Sequence, residues 1–316
     1  MRRLAACLLV LILTAPVEAE PLRIAVISDL NGSYGSTNYG QPVSGAVARI
    51  IALRPDLVIS GGDMVAGQRL KPKLAPAELA AMWAAFHATV SDPLARAGLP
   101  LLVTPGNHDA SAYPGFEAER AAFAEAWANR VPDLSAIDDG NWPFRGAWSV
   151  NGVLLVGIDA TRPGPLPDAD MAWLRGVLEK QAARHRAVIL FGHLPLMPIS
   201  QGREGEVLAD PALFALAQGA GVDLWLSGHH HAFYSGQAGG ILFVAQAALG
   251  SGPRKLVGET AVSGQSFTWI EIADDGAITV AAYPSPGFGT ALDEGTLPAS
   301  LGGGDLRLTR SFRAAD

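Results

Sequence analysis

The sequence predicts a layered α/β fold in which helices pack on one mixed sheet or on two. Two observations carry that reading. Short apolar runs alternate with helical segments through the first half of the chain, and later apolar runs come in hairpin pairs. The composition agrees, with 49% hydrophobic and 17% charged positions among 316 residues, enough length and apolar content for a large core.

The elements follow in order. Leu22 to Ser28 is a short apolar strand ending in a polar loop, and Val43 to Leu53 has helical spacing. Leu57 to Ser60 is a second strand, closed by Gly61-Gly62. Ala75 to Ala97 reads as one long helix, with Pro76 in its first turn and Leu79, Met82, Trp83 and Phe86 on one face. Pro100 to Thr104 is a third strand, and a helix covers Phe116 to Arg130. Ala147 to Val150 and Val153 to Ile158 flank Asn151-Gly152, a dipeptide suited to a tight hairpin turn. A helix opens at Asp168 and runs through Trp173, Leu174 and Leu178, with Asp168 and Asp170 as helix-start residues. Ala187 to Phe191, Asp223 to Ser227 and Ile241 to Ala245 are further strands. Phe267 to Ile272 and Ala277 to Ala282 form a second hairpin around Asp275-Gly276.

The two ends of the chain differ from the rest. Residues 1–19 have the form of a signal peptide: Arg2 and Arg3, an apolar stretch from Leu4 to Leu13, then the small-x-small Val17-Glu18-Ala19. That stretch is too short to span a bilayer, and no later segment is long and apolar enough. Leu4-Ala5-Ala6-Cys7 resembles a lipoprotein processing box but precedes any apolar core, so cleavage and export, to the periplasm or medium, are expected. Residues 20–283 are expected to form the main folded domain. Residues 284–316 are rich in Gly and Pro, and a loosely packed or disordered tail is expected there. The formal net charge of −7 leaves no electrostatic footprint for nucleic acid or anionic membrane.

The residues just beyond the strands form one chemical set: Asp29 and Asn31, Asp63, Asn107-His108-Asp109, His193, and His229-His230-His231. Loops beyond strand ends are where α/β sheets bind ligands, and each of these loops offers an oxygen or nitrogen donor for a divalent metal. Asp29, Asp63 and Asn107 taken singly are also ordinary turn residues, and His193 a plausible loop histidine. Three adjacent histidines are harder to bury without partners.

In order, the motifs read D-x-N, G-D, G-N-H-D, G-H and G-H-x-H. This closely resembles the calcineurin-like metallophosphoesterase superfamily, over about Ile24 to Ala232 and plausibly to Ala282. The resemblance implies a four-layer α/β/β/α sandwich with two mixed sheets. It also implies two divalent metal ions (Mn, Fe, Zn, Mg or Ca) and a metal-bridging hydroxide that attacks a phosphomonoester or phosphodiester. Asp63 would bridge the metals, Asp29 and His231 would hold the first, and Asn107, His193 and His229 the second. Asn107 and His108 would face the phosphate. His108 would either stabilise the phosphate or protonate the leaving oxygen, a transfer that imidazoles perform near neutral pH, and Asp109 would orient its ring. His230 points the other way and is read as supporting or exposed.

Asn31 stands where that superfamily has His. Three roles fit it: a weaker neutral metal ligand, a phosphate contact, or a turn former with Gly32. The first is expected. The same departure supports the competing reading of a catalytically weak relative that binds a phosphorylated ligand or a metal.

Other residues are weighed more lightly. Arg203, Arg254 and Lys255 lie in Gly-rich loops and could reach a substrate phosphate, although solvated charge is the plainer reading. Tyr34 and Tyr39 could wall the substrate, and Asp159 could reach the site's edge. His87 and His185 read as structural or solvated. The expected partner is a small-molecule or lipid phosphate ester, and no nucleic acid.

Overall fold

A computed structural model describes residues 21–303 and 306–310. The predicted signal peptide and Cys7 lie outside the described residues.

In chain order the strands are β1 Leu22–Ile27, β2 Leu57–Ser60, β3 Leu101–Val103, β4 Ser135–Asn141, β5 Arg145–Val150, β6 Val153–Gly157 and β7 Ala187–Phe191. The rest are β8 Leu224–Ser227, β9 Tyr234–Ala238, β10 Ile241–Ala245, β11 Ser266–Ile272, β12 Ile278–Pro284, β13 Ser300–Gly303 and β14 Leu306–Thr309. The helices are α1 Gln41–Leu53, α2 Pro76–Phe86, α3 Asp92–Arg96, α4 Asn107–Ala110, α5 Glu117–Trp127, α6 Asp168–Gln181 and α7 Pro211–Gly219.

Among the described residues these strands make two mixed sheets. The first has the order β12-β11-β1-β2-β3, and the second β13-β14-β9-β10-β8-β7-β6-β5-β4. In the first, β1, β2 and β3 are parallel; in the second, β6, β7, β8 and β10 are parallel.

The period-2 alternation of each strand produces the layers. Leu22, Ile24 and Val26 of β1 join Leu57, Ile59 and Leu102 in a core shared with Leu155, Ile189, Phe191, Leu224, Leu226 and Val244 of the second sheet. The intervening Ala25 and Ile27 face the opposite way, onto α1 (Val43, Val47, Ile50), α2 (Leu79, Met82, Phe86) and α5 (Phe123, Trp127). On the far side, Leu154, Val156, Val188, Leu190 and Trp225 pack on α6 (Leu174, Val177, Leu178) and α7 (Leu213, Leu216). Helices, sheet, sheet and helices therefore stack as four layers.

Three expectations change. The helix expected over Ala75 to Ala97 is divided into α2, a π-turn over His87–Ser91 and α3. Pro93 has no N–H, and its ring crowds the preceding turn, so the path widens and the Asp92 N–H reaches back to the His87 carbonyl. The Gly- and Pro-rich tail contributes β13 and β14, a hairpin that joins β9 and buries Leu301 and Leu308 in the outer core. The polar edge strand β4, the short β9 and the helix α7, capped by the Asp210 carboxylate, were not expected from the sequence. No helix among the described residues is long and apolar enough to cross a membrane.

Candidate metal centre

Every residue of the polar set follows the C-terminal end of a parallel strand. Asp29 comes after β1, Asp63 after β2, Asn107 at the start of α4 after β3, His193 after β7, and His229 and His231 after β8. The two sheets bring those ends together. Asp63, His193 and His229 place ligand atoms within 4.8 Å of one another, and so do Asp29, Asp63 and His231. Asp63 belongs to both groups.

Tautomers are fixed from behind. The Nδ1–H of His193 donates to the Gly61 carbonyl at 2.7 Å, which leaves the Nε2 lone pair for the site. That Nε2 faces Asp63 Oδ2 at 3.3 Å and Asn107 Oδ1 at 3.0 Å. The amide of Asn107 is oriented by its Nδ2, which donates to Gln68 Oε1 at 2.8 Å. His231 repeats the scheme: its Nδ1 donates to the Gly252 carbonyl at 2.8 Å, and Nε2 faces Asp29 Oδ1 at 3.1 Å. Both clusters set bare acceptors against one another, a geometry that calls for a cation at the centre.

The proton affinities express the same demand. Burial works to lower His193, but the Asp63 carboxylate outweighs it and raises the ring to about 9. Burial would raise Asp63 and Asp29, yet the facing imidazoles (His193 and His108 for Asp63, His231 for Asp29) hold both carboxyls below the ordinary range. Asp, Asn and His are a donor set suited to a divalent ion, so these residues fit the expected pair of metals.

Backbone geometry serves the same end. Asp29, Asp63, His229 and His231 have φ values of 54°, 54°, 65° and 53°, in the left-handed region. Such conformations cost on the order of 1–3 kcal/mol each for residues with a Cβ, and cluster at functional sites. Gly106 allows a close approach: a Cβ there would lie 2.1 Å from the Asp63 amide nitrogen.

His108 lies at the wall of the same cavity, a space of about 320 Å³ lined also by Tyr34, Tyr113, Arg203, Glu206 and Arg254. Its backbone N–H donates to Asp63 Oδ1 at 2.8 Å, and its Nε2 is 3.9 Å from Asp63 Oδ2. The ring is oriented by the Gly67 carbonyl, 2.9 Å from Nδ1, and not by Asp109 as expected. The buried Asp109 carboxylate accepts instead from the Val65 and Gly106 amides, both at 2.9 Å, and so ties the loop after β2 to the loop after β3. Burial, aided by the charge of Asp63, pushes Asp109 up to about 7.

The remaining expectations divide. His230 is fully buried rather than exposed: its Nδ1 accepts from the Ile199 and Ser200 amides, and its Nε2 donates to the Glu206 carbonyl. Burial first, then the neighbouring His229, lowers it to about 3, so the ring is neutral. Asn31 is buried, and its Oδ1 accepts from Ser251 Oγ. Arg203 lines the cavity but grips Glu206 with both contacts at 2.6 Å, while Arg254 donates to the His229 carbonyl at 2.7 Å. Lys255 sits in a backbone bridge with Val262. Tyr34 stands at the cavity beside His108, whereas the Tyr39 hydroxyl turns inward to the Met64 carbonyl. Asp159 pairs with Arg120, and Asp170 with Arg145. His185 bridges the Gln181 carbonyl and Ser149, and His87 bonds Ser91.

Sequence reasoning missed Glu206, Gln68, Ser251 and Tyr113. Glu206 and Glu204 share one Gly-rich loop, and nothing local marks which of them turns inward.

A family model for calcineurin-like phosphoesterases matches residues 22–233. Among solved structures, a purple acid phosphatase from yellow lupin (Lupinus luteus) superposes with a TM-score of 0.65 at 15% identity, covering 88% of this chain and 54% of that one. The chain thus spans about half the length of the lupin protein. A dimetal phosphatase from Danio rerio gives a TM-score of 0.58 at 15% identity, covering 83% of this chain and 96% of that one. GAP50, the anchor in the inner membrane complex of Plasmodium, gives 0.52 at 15% identity, covering 84% and 85%. No curated protein matches the chain in sequence.

Proposed function

Since this chain belongs to the calcineurin-like phosphoesterase family, a family of metal-dependent hydrolases, we propose that it is an exported enzyme that hydrolyses small phosphomonoesters or phosphodiesters at a dinuclear site. The observation that carries the reading is the opposition of acceptors. The Nε2 atoms of His193 and His231 face the carboxylates of Asp63 and Asp29, each ring held in that tautomer by a backbone carbonyl.

Asp29, His231 and the carbonyl oxygen of Asn31 would hold one ion, and Asn107, His193 and His229 the other, with Asp63 shared. Two such cations supply an activated water and neutralise the charge of a phosphoryl group. The protein's own groups do the rest. His108, oriented by Gly67, presents Nε2 to the cavity and hands a proton to the departing alkoxide. Asn107 also meets the phosphate. Arg254, fixed through the His229 carbonyl, adds positive charge to the same cavity, whereas the charge of Arg203 is matched by Glu206. Asp109 acts on the loops that carry Asp63 and His108 rather than on substrate.

A generic aryl phosphate and its diester analogue, assayed after metal removal and add-back of Mn, Zn, Fe, Mg or Ca, test the proposal. Metal-dependent release from at least one ester, abolished by Asp63→Ala or His229→Ala, is the expected result. Absence of release from both favours the second reading, a phosphate- or metal-binding relative, which the engagement of Asn31 by Ser251 supports. Export is tested separately by N-terminal sequencing of protein from outside the cytoplasm, with a start near Glu20 expected.

A further inference from the structure

The cavity around the candidate metal centre is polar at its floor and aromatic at its mouth. Tyr34 and Tyr113 are 55% and 44% exposed, and both line it. A single exposed aromatic needs no explanation, but two at the mouth of one charged cavity do. They stand on anchored loops. Gly35 N donates to the Ala66 carbonyl at 2.8 Å beside Tyr34, and Tyr113 N donates to Ser111 Oγ at 3.2 Å. The Tyr34 ring centroid is 5.5 Å from that of His108. His108 is the group proposed to protonate the leaving oxygen, so Tyr34 stands on the side on which the leaving group departs, and Tyr113 lines the same cavity.

The space does not end there. Tyr113 and Thr161 also line a second cleft of about 510 Å³, formed with Pro165, Leu166, Arg120 and Asp159. Its wall is braced. Arg120 Nη2 lies 2.6 Å from Asp159 Oδ2, Thr161 Oγ1 donates to Asp159 Oδ1 at 3.0 Å, and the Ala112 amide donates to Thr161 Oγ1 at 3.1 Å. A rigid, partly apolar extension next to the departure side is a place for the remainder of a substrate.

We propose that Tyr34 and Tyr113 form a leaving-group subsite for phosphate esters bearing a planar aromatic group, whose ring packs on the tyrosines and reaches toward the Arg120–Asp159 cleft. This rests on the hydrolase reading above. Aromatic faces favour stacking on planar rings, and base–aromatic stacking is strong enough to discriminate substrates.

A matched pair isolates the ring. Adenosine 5′-monophosphate and ribose 5-phosphate both leave through a primary 5-position hydroxyl of ribose and differ in the base, so leaving-group acidity is nearly matched. The metal-loaded enzyme is expected to favour the nucleotide in kcat/KM by about tenfold or more. That ratio should collapse in Tyr34→Ala and Tyr113→Ala and persist in the two Tyr→Phe variants, since the ring face and not the hydroxyl does the packing. A ratio near one in the unaltered enzyme, or a ratio that survives the double alanine change, overturns the subsite. If neither ester turns over with any metal, the hydrolase reading fails on its own. Calorimetric titration of the metal-loaded protein then decides the subsite: tighter, tyrosine-dependent nucleotide binding supports it, and equal affinity for both probes overturns it.

Discussion

The Oε2 of Glu206 lies 2.8 Å from Nε2 of His229, and the same carboxylate is gripped by Arg203 at 2.6 Å. The Nε2–H of His229 is therefore spent on Glu206, which leaves Nδ1 for the metal centre. His229 first, then Arg203, keeps the Glu206 carboxyl below its ordinary range against some burial. A carboxylate behind a ligating imidazole fixes the ring and strengthens it as a donor. Glu206→Gln should weaken metal retention by about 10- to 100-fold, read by calorimetric metal titration and metal analysis after dialysis. Retention equal to that of the unaltered protein would remove Glu206 from the design.

At Gly106 the expectation is steric. A Cβ there would lie 2.1 Å from both the amide nitrogen and Oδ1 of Asp63, the carboxylate shared by the two clusters. Gly106→Ala must displace Asp63, and activity should fall by about 10²-fold, the usual scale for an ångström of misplacement. Circular dichroism should show an intact fold while metal content drops. Full metal content and full activity would mean that Asp63 is not held where the geometry puts it.

Residue 31 is Asn where the motif that the sequence resembles has His. The Asn31 amide oxygen is shared with the Ser251 hydroxyl, so any coordination by it is weak. Asn31→His offers a stronger donor beside Asp29 and His231, and retention of the first ion should tighten by roughly tenfold, following the ligand strengths of imidazole and amide. Unchanged retention and unchanged turnover would put residue 31 outside the coordination sphere.

Away from the centre, His87 should set an acid limit to stability. It is buried in the π-turn among Trp83, Phe86 and Trp127. Burial, reinforced by Arg130, lowers its pKa from 6.5 to about 4. Between those values the unfolded ring binds a proton that the folded ring refuses, so stability is full above pH 6.5 and is lost as pH falls toward 4. The full shift corresponds to roughly 3 kcal/mol, and solvent screening brings the expected loss below that. His87→Phe should flatten that limb of a melting-temperature profile, and an unchanged slope would assign the acid loss to other groups.

What was legible in the sequence follows from where the chemistry sits. Asp29, Asp63, Asn107, His193, His229 and His231 each lie within four residues of a strand's end, so they were legible as an ordered set of motifs following apolar runs, although singly most of them read as ordinary turn or loop residues. Glu206 and Ser251 could not be found this way. Ser251 meets Asn31 across 220 positions, and Glu206, from a loop with no periodicity, meets His229 across 23 positions that include α7 and β8. The role expected for Asp109 failed for a related reason: adjacency to His108 suggested contact, but one helical turn sends its carboxylate back to the Gly106 and Val65 amides. In the tail, frequent Gly and Pro concealed Leu301 and Leu308, two side chains sufficient to seat a hairpin in the outer core.

The left-handed backbone at Asp29, Asp63, His229 and His231 has a consequence for the protein's engineering. Glycine relieves that conformation at no steric cost, so a substitution at each of the four positions would release backbone strain while removing a donor, and at Asp29 and Asp63 it would also leave the His229 and His108 amides without their carboxylate. Side chains at all four positions therefore carry a conformational cost that falls on the very residues able to supply donors to the proposed centre.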